Sequence, residues 1–462
     1  MNIEQIYTGC LAQGAYYIKD GKEAVIIDPL REVAPYLERA EKDGVTIKYI
    51  LETHFHADFV SGHVTLAEKT GAPIIYGPNA NPSFEAHIAH DGEELKVGEL
   101  TLRVLHTPGH TLESTTYLLL DKDGKETAIF TGDTLFLGDV GRPDLAQKAA
   151  SMTQEDLAGM LYDSLRNKIM PLPDDITVYP AHGAGSACGK NMMKQTVDTL
   201  GNQKEMNYAL QADLTKDQFI QAVTDGLAPP PKYFPLNVAL NKGGYASIDT
   251  ILERGSRALN PDELETIVNE QGALVLDVRN PSDFAAGHIP NSIFIGLNGS
   301  FAPWVGELIV DVQQPLVLVV AEGKETEAIT RLSRVGFDQT LGYLQGGVEA
   351  WQATGKAIRT VQSVAPETFA ADYPAFEDKV FDVRKPNEFN SQHVEKAHHT
   401  PLSTLNDYLN NFPKEAPFYI HCAGGYRSII AASILLSRGI EQPINVEGGF
   451  KKIKETAVPL TS

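Results

Sequence analysis

Two segments of this 462-residue chain align without a gap: D-V-R-N-P-S-D-F-A-A-G-H-I from Asp277 and D-V-R-K-P-N-E-F-N-S-Q-H-V from Asp382. The offset, 382 minus 277, is 105 residues, the size of a small domain, so the repeat marks duplicated domains and not a solenoid of short units. Each copy follows an apolar strand and ends on a glycine pair, Gly346-Gly347 and Gly448-Gly449. The copies occupy 250–358 and 362–462 and leave residues 1–245 for a separate domain, in keeping with the roughly three domains that such a length predicts.

In that first domain short β-rich runs alternate with helical ones, which predicts an α/β fold. Strands are expected at Ala24–Ile27, Ile47–Leu51, Pro73–Tyr76, Leu100–Leu105, Thr115–Leu120, Thr127–Phe130 and Ile176–Tyr179. Helices are expected at Val33–Lys42, Val60–Thr70, Gln154–Leu165 and through most of Met192–Thr224, before the prolines of L-A-P-P-P-K-Y-F-P supply a stiff exit. Cys10 reads as a core residue of a first strand.

Donor residues recur where these strands end. T-H-F-H-A-D-F supplies His54, His56 and Asp58; H-T-P-G-H-T supplies His110; F-T-G-D-T supplies Asp133; and Y-P-A-H-G supplies His182. Singly, each fits a turn. Together they gather nitrogen and oxygen donors at one sheet edge, the arrangement a metal requires.

The order T-H-x-H-x-D, T-P-G-H-T, G-D and Y-P-x-H resembles the metallo-β-lactamase fold, in its glyoxalase II and persulfide dioxygenase branch. The resemblance implies an αββα sandwich followed, in a persulfide dioxygenase–rhodanese fusion, by two α/β rhodanese domains. One departure is informative: the binuclear zinc hydrolases of this fold carry a His after the Asp, and here Asp58 is followed by Phe59, which has no donor. A single metal is therefore expected. The resemblance implies one Fe(II) per chain on His54, His110 and Asp133, with Asp58, His56 and His182 around them as orienting groups. A zinc site that adds His56 is the alternative.

Two further residues stand near this edge. Arg142, in G-D-V-G-R-P-D-L, is read either as a two-pronged holder of a thiol-cofactor carboxylate or as a loop brace to Asp144. Cys188, six positions after His182, is read either as buried filler or, with Lys190 nearby, as a sulfur carrier.

The D-V-R-x-P-x-[DE]-F repeat resembles rhodanese domains. In the second copy a strand, Phe418–His421, runs into C-A-G-G-Y-R-S and a helix over Ile429–Leu436. Cys422 thus heads a glycine-containing loop with Arg427 five residues on, a setting for a nucleophilic thiol. In the first copy strand Leu316–Val320 is followed by A-E-G-K-E-T-E, so that Ala321 stands for the Cys, Thr326 for the Arg and Glu327 for the Ser. That copy is expected to be catalytically silent.

Lys and Arg number 39 and Asp and Glu 60, a net charge of −21, which argues against nucleic-acid or anionic-membrane partners. No apolar run approaches the ~20 residues of a membrane span, and the N-terminus lacks the basic and apolar regions of a signal peptide. Three scattered cysteines do not make a disulfide framework, so a cytoplasmic location is expected. The resemblance implies a persulfide dioxygenase and sulfurtransferase of sulfide detoxification. Its partners would be dioxygen, sulfite and a small thiol persulfide of the glutathione, coenzyme A or bacillithiol type, and it would self-associate as a homo-oligomer. A zinc-dependent glyoxalase II-like thioester hydrolase and a non-enzymatic sulfur-relay or sensor protein are the alternatives.

Overall fold

The structure, a computed structural model, describes residues 1–147 and 151–461. They form two compact units, one of Met1–Ile248 with Ser333–Gly336 and one of the remaining residues from Asp249 onward.

The first unit is built on two six-stranded sheets. Strands β1 (Asn2–Thr8), β2 (Gln13–Asp20), β3 (Glu23–Ile27), β4 (Thr46–Leu51), β5 (Ile74–Tyr76) and β6 (His87–Ile88) lie in sequence order in one. The other comprises β7 (Glu94–Val97), β8 (Leu100–His106), β9 (Thr115–Leu120), β10 (Glu126–Gly132), β11 (Thr177–Pro180) and β12 (Asp198–Thr199), again in sequence order. The two-residue period of a strand explains how these segments serve two cores at once. In β9, Tyr117 and Leu119 pack between the sheets with Tyr16, Ile18 and Leu51, while Leu118 and Leu120 pack outward with Leu161 and Leu165. In β2, Tyr16 and Ile18 face the other sheet, while Ala15 and Tyr17 meet Val33, Tyr36 and Ala40 at the start and on the face of helix α1 (Ala34–Asp43). Helix, sheet, sheet and helix are therefore the layers, as the αββα expectation has it.

Three local expectations are corrected. Cys10 lies in the turn between β1 and β2 and is part-exposed, because the chain reverses there to pair Thr8 with Gln13. Helix α2 begins at His63 and not at Val60. The segment before it bends at residues 57–59 and is held out of the helix by Asn241, whose side-chain oxygen accepts from Ser61 N (2.8 Å) and whose amide donates to the carbonyls of His56 (2.8 Å) and Phe59 (2.7 Å). Residues 192–199 are not helical; Asp198 and Thr199 pair with β11, and Thr199 then caps the helix Leu200–Met206.

In the second unit each copy of the repeat forms a five-stranded sheet whose neighbours all run parallel. The first, ordered β13-β17-β16-β14-β15, uses β13 (Ala258–Leu259), β14 (Leu274–Asp277), β15 (Ile293–Phe294), β16 (Leu316–Val319) and β17 (Thr340–Leu344). The second, ordered β18-β23-β22-β19-β21, uses β18 (Gln362–Val364), β19 (Val380–Asp382), β21 (His398–His399), β22 (Phe418–His421) and β23 (Pro443–Val446). A short antiparallel pair, β20 (His393–Val394) with β24 (Leu460–Thr461), completes it.

The repeated motif is a framework. Asp277 accepts from the backbone N–H of Arg279 (3.1 Å) and from its guanidinium, which also donates to Gly287 O (2.8 Å). Asp382 does the same for Arg384 (3.0 Å), which donates to Gln392 O (2.8 Å). The motif's Phe and His stack in both copies, Phe284 on His288 at 3.9 Å and Phe389 on His393 at 3.8 Å. No helix among the described residues is long and apolar enough to cross a membrane.

Candidate metal centre and candidate sulfur-transfer site

Four strand ends meet at one edge of the sandwich. β4 runs into Thr53 and His54, β8 into the loop of His110, β10 into Asp133 and β11 into His182. β10 and β11 are parallel, so Asp133 and His182 leave their sheet at the same end. Gly132 makes this approach feasible: with φ of +53° it passes so close to Thr53 that an added Cβ would stand 2.6 Å from the threonine Cβ.

His54, His110 and Asp133 are all buried, and one donor atom from each lies within 4.8 Å of the others. Asp133 Oδ2 is 3.8 Å from His54 Nε2 and 3.5 Å from His110 Nε2. The surroundings fix which nitrogen is free. Thr53 Oγ1 donates to Asp28 Oδ2 (2.9 Å), so its contact with His54 Nδ1 (2.9 Å) has the ring N–H donating. His110 Nδ1 donates to the carbonyl of Arg142 (2.9 Å). Both rings therefore turn a bare Nε2 toward Asp133, the tautomer a metal ligand needs. Asp133 Oδ1 accepts from His182 Nδ1 (2.7 Å), while Oδ2, fully buried, has no hydrogen-bond partner among the described residues. Burial works against the Asp133 charge, but the pull of His182, His54 and His110 outweighs it and holds the carboxyl well below the usual range. Burial, aided by His56, pushes His54 well down, keeping its imidazole neutral. An orphaned anionic oxygen facing two bare imidazole nitrogens fits a divalent cation.

The neighbouring donors group elsewhere. His56 shares a cluster with Asp28 and Glu52, its Nε2 3.1 Å from Asp28 Oδ1. Its Nδ1 has no hydrogen-bond partner among the described residues, and its ring lies 4.2 Å from that of His54. His182 clusters with Asp58 and Cys188, its Nε2 2.9 Å from Asp58 Oδ2. The His182 imidazole loses solvation on burial, yet Asp133 and Asp58 raise its pKa well above the ordinary histidine value. Phe59 is fully buried, its ring 4.3 Å from that of His56 and 6.5 Å from that of His182. Cys188 is buried, and desolvation together with Asp58 and Asp133 pushes its thiol well up.

Arg142 takes the brace geometry. Its guanidinium donates to both oxygens of Asp144 (3.0 and 2.7 Å) and to the carbonyls of Ala187 (3.3 Å) and Ala228 (2.5 Å). Four of its five guanidinium N–H groups are thus engaged inside the protein, the geometry of the brace alternative. Its backbone carbonyl, which sequence reasoning had no signal to single out, is the group that orients His110.

In the second unit Cys422 is buried at the end of β22, ahead of the helix Tyr426–Ser437. Its Sγ accepts from Gly425 N (3.1 Å) and from Ser428 Oγ (3.5 Å). Arg427 is held by Glu388 through two hydrogen bonds (2.7 and 2.8 Å); burial alone would lower its pKa, and the Glu388 carboxylate raises it. The fixed positive charge stands beside a sulfur cradled by a loop N–H. The matching loop of the first copy is exposed from Ala321 through Lys324; its Gly323 N–H donates to the chain's own Glu325 carboxylate (3.2 Å), and Lys324 pairs with Glu327 (3.0 Å).

Known proteins divide the chain the same way. Residues 8–182 match the metallo-beta-lactamase superfamily, and residues 260–354 and 366–456 each match the rhodanese-like domain. The human mitochondrial persulfide dioxygenase ETHE1 is 29% identical over 225 residues, 48% of this chain and 80% of that protein. The hydroxyacylglutathione hydrolase GloC of Haemophilus influenzae is 30% identical over 213 residues, 41% of this chain and 94% of that protein. A crystal structure described as a metallo-beta-lactamase of Staphylococcus aureus is 30% identical, covers 74% of this chain and 98% of its own, and superposes with a TM-score of 0.65. The chain thus belongs to the metallo-beta-lactamase superfamily and carries two rhodanese-like domains behind that module.

Proposed function

We propose that the chain is a persulfide dioxygenase with a sulfurtransferase domain. The first module oxidises the terminal sulfur of a small thiol persulfide: persulfide, dioxygen and one water give the free thiol and sulfite. Cys422 takes a sulfane sulfur from a second persulfide, whose S–S bond breaks as the carrier leaves as thiolate. Sulfite then attacks that outer sulfur, a new S–S bond forms, the Cys422 thiolate departs and thiosulfate is released.

The observation that carries this reading is the donor set of two imidazoles and one carboxylate, His54, His110 and Asp133, with no fourth donor in their cluster among the described residues. That facial set suits ferrous iron, which when bound supplies the activation of dioxygen and open positions for substrate. Everything else is done by side chains. Thr53 and the Arg142 carbonyl hold the two rings, His182 holds Asp133, and Phe59 fills with hydrocarbon the side where a second ion would need a ligand. The likeness to a named persulfide dioxygenase over 225 residues supports the same reading.

A second reading has its own observation. The partnerless Nδ1 of His56, beside His54, could complete a zinc site for thioester hydrolysis, and GloC is a named hydroxyacylglutathione hydrolase. Metal analysis of anaerobically purified protein, paired with dioxygen uptake on glutathione, coenzyme A and bacillithiol persulfides, separates the two. One iron per chain and one sulfite per dioxygen are expected, with both lost in Asp133→Ala. Zinc, no dioxygen uptake and cleavage of an acyl-thiol would establish the hydrolase instead.

A further inference from the structure

An aromatic side chain beside the Cys422 loop, that of Tyr426, reaches the rhodanese-like copy that lacks the cysteine. Tyr426 follows Gly425, whose N–H donates to Cys422 Sγ, and precedes Arg427. Its hydroxyl donates to the carbonyl of Gly296 in the silent copy (2.7 Å). Its ring meets Phe294 edge-on at 6.0 Å and presses on Gly299, where an added Cβ would stand 2.6–2.9 Å from three ring atoms. The seat is itself fastened. Arg331, on the silent copy's own helix Glu325–Ser333, donates to the carbonyls of Leu297 (2.8 Å) and Gly299 (3.4 Å). Farther along the active helix, Ser433 Oγ accepts from Phe294 N (3.0 Å), capping an N–H of the edge strand β15.

These contacts are one-sided. The silent-copy residue matching Tyr426 is Glu325, four positions after Ala321 as Tyr426 is four after Cys422. The copy that has the cysteine has the tyrosine, and the copy without it supplies the seat.

We propose that Tyr426 is a positioning residue for Cys422 and that the silent copy serves as the fixed surface that positions it; this rests on the reading of Cys422 as the sulfur-transfer thiol. Three consecutive residues then have separate anchors: Gly425 on the sulfur, Tyr426 on the silent copy, Arg427 on Glu388. Pinning the Tyr426 ring fixes the Gly425–Tyr426 peptide, and with it the direction of the N–H aimed at the sulfur. Loosening the tyrosine should misalign that N–H while leaving the substrate's entry unchanged.

The test uses the full-length holoprotein with thiosulfate as sulfur donor and cyanide as acceptor. Tyr426→Phe, which keeps the ring and removes one hydroxyl, should lower kcat about three- to tenfold, the scale of one hydrogen bond, with KM moving less than twofold. Gly299→Ala, made in the other copy and touching no reacting atom, should lower kcat at least as much. Ser433→Ala removes the neighbouring contact between copies but lies away from the sulfur; it should lower the melting temperature and leave kcat alone. Dioxygen uptake should stay at the wild-type level in all three. If Tyr426→Phe turns over within twofold of wild type, or if Ser433→Ala is slowed as much as Tyr426→Phe, the contact is merely structural and the inference is wrong. Wild-type protein that transfers no sulfur would defeat the reading of Cys422 itself, an outcome distinct from a variant that matches an active wild type.

Discussion

Thr53→Val is the most searching substitution at the metal edge, because it changes no donor atom of the metal site and almost no volume. The threonine hydroxyl stands between Asp28 Oδ2 and His54 Nδ1, 2.9 Å from each, in a region closed to solvent. Valine fills the same space against Gly132, so neither a cavity nor a new clash complicates the result. It leaves a buried N–H and a buried carboxylate oxygen without that partner. At about 1–3 kcal/mol for each of the two orphaned groups, stability should fall by roughly 2–6 kcal/mol. For a unit of this size, at about 2–4 °C per kcal/mol, that lowers the melting midpoint by about 4–24 °C. The ring of His54, no longer told which nitrogen carries its proton, should bind metal about 10–100-fold more weakly, equivalent to about 1.4–2.8 kcal/mol. Competition against a chelator of known affinity measures this directly, and Thr53→Ser, which restores the hydroxyl, should recover most of it. If Thr53→Val binds iron within twofold of wild type, the hydroxyl does not set the tautomer and the derivation of the bare Nε2 is wrong.

Three further outcomes follow from other contacts. Cys422→Ser should leave dioxygen uptake intact and shift the product from thiosulfate to sulfite; an unchanged thiosulfate yield, read by ion chromatography, would move the transfer to Cys188 or elsewhere. Phe59→His puts a nitrogen donor in place of the ring that lies 4.3 Å from His56, so the metal content of zinc-reconstituted protein should rise from one toward two per chain, and a constant value of one would show that Phe59 is not what limits it. His288 is pushed down to about 4 by burial, with Arg279 and Arg359 nearby adding to the shift. The unfolded chain therefore takes up a proton below about pH 6.5 that the folded one refuses until about pH 4. Its contribution is complete above about pH 6.5 and is lost as pH falls toward 4, up to about 3 kcal/mol. Urea unfolding at pH 7.5 and pH 5 should show His288→Gln losing less stability over that interval than wild type, and parallel losses would remove His288 as the cause.

How far the sequence could be read depended on whether a residue's role is carried by its own side chain. Strands such as Thr115–Leu120 announced themselves because both faces are buried and every residue is apolar or β-branched. The donors His54, His110 and Asp133 stood at strand ends, where their chemistry has no competing use in packing. What stayed hidden was work done by backbone groups or by distant partners. Nothing in the local letters says that Asn241 ties residues 56–61 into a bent, non-helical course, so the apolar pattern alone puts the α2 start too early. The reach of Arg142 to Ala228, 86 positions away, is equally invisible in the local sequence.

The repeat illustrates the same division from the other side. Aspartate, arginine, phenylalanine and histidine of the shared motif are the residues that make the two copies recognisable, and in both they bond or stack within their own domain. Selection on folding alone would keep them. The cysteine loop is under no such constraint, since Ala321 occupies its place at the end of an intact β16. A copy can therefore lose its chemistry without losing its fold, and what it then retains is a rigid surface. Gly296 and Gly299 lie on that surface, against the tyrosine that follows the catalytic N–H. If the copy without the cysteine is silent, the proposed support of the Cys422 loop is a physical return on the roughly one hundred residues it occupies.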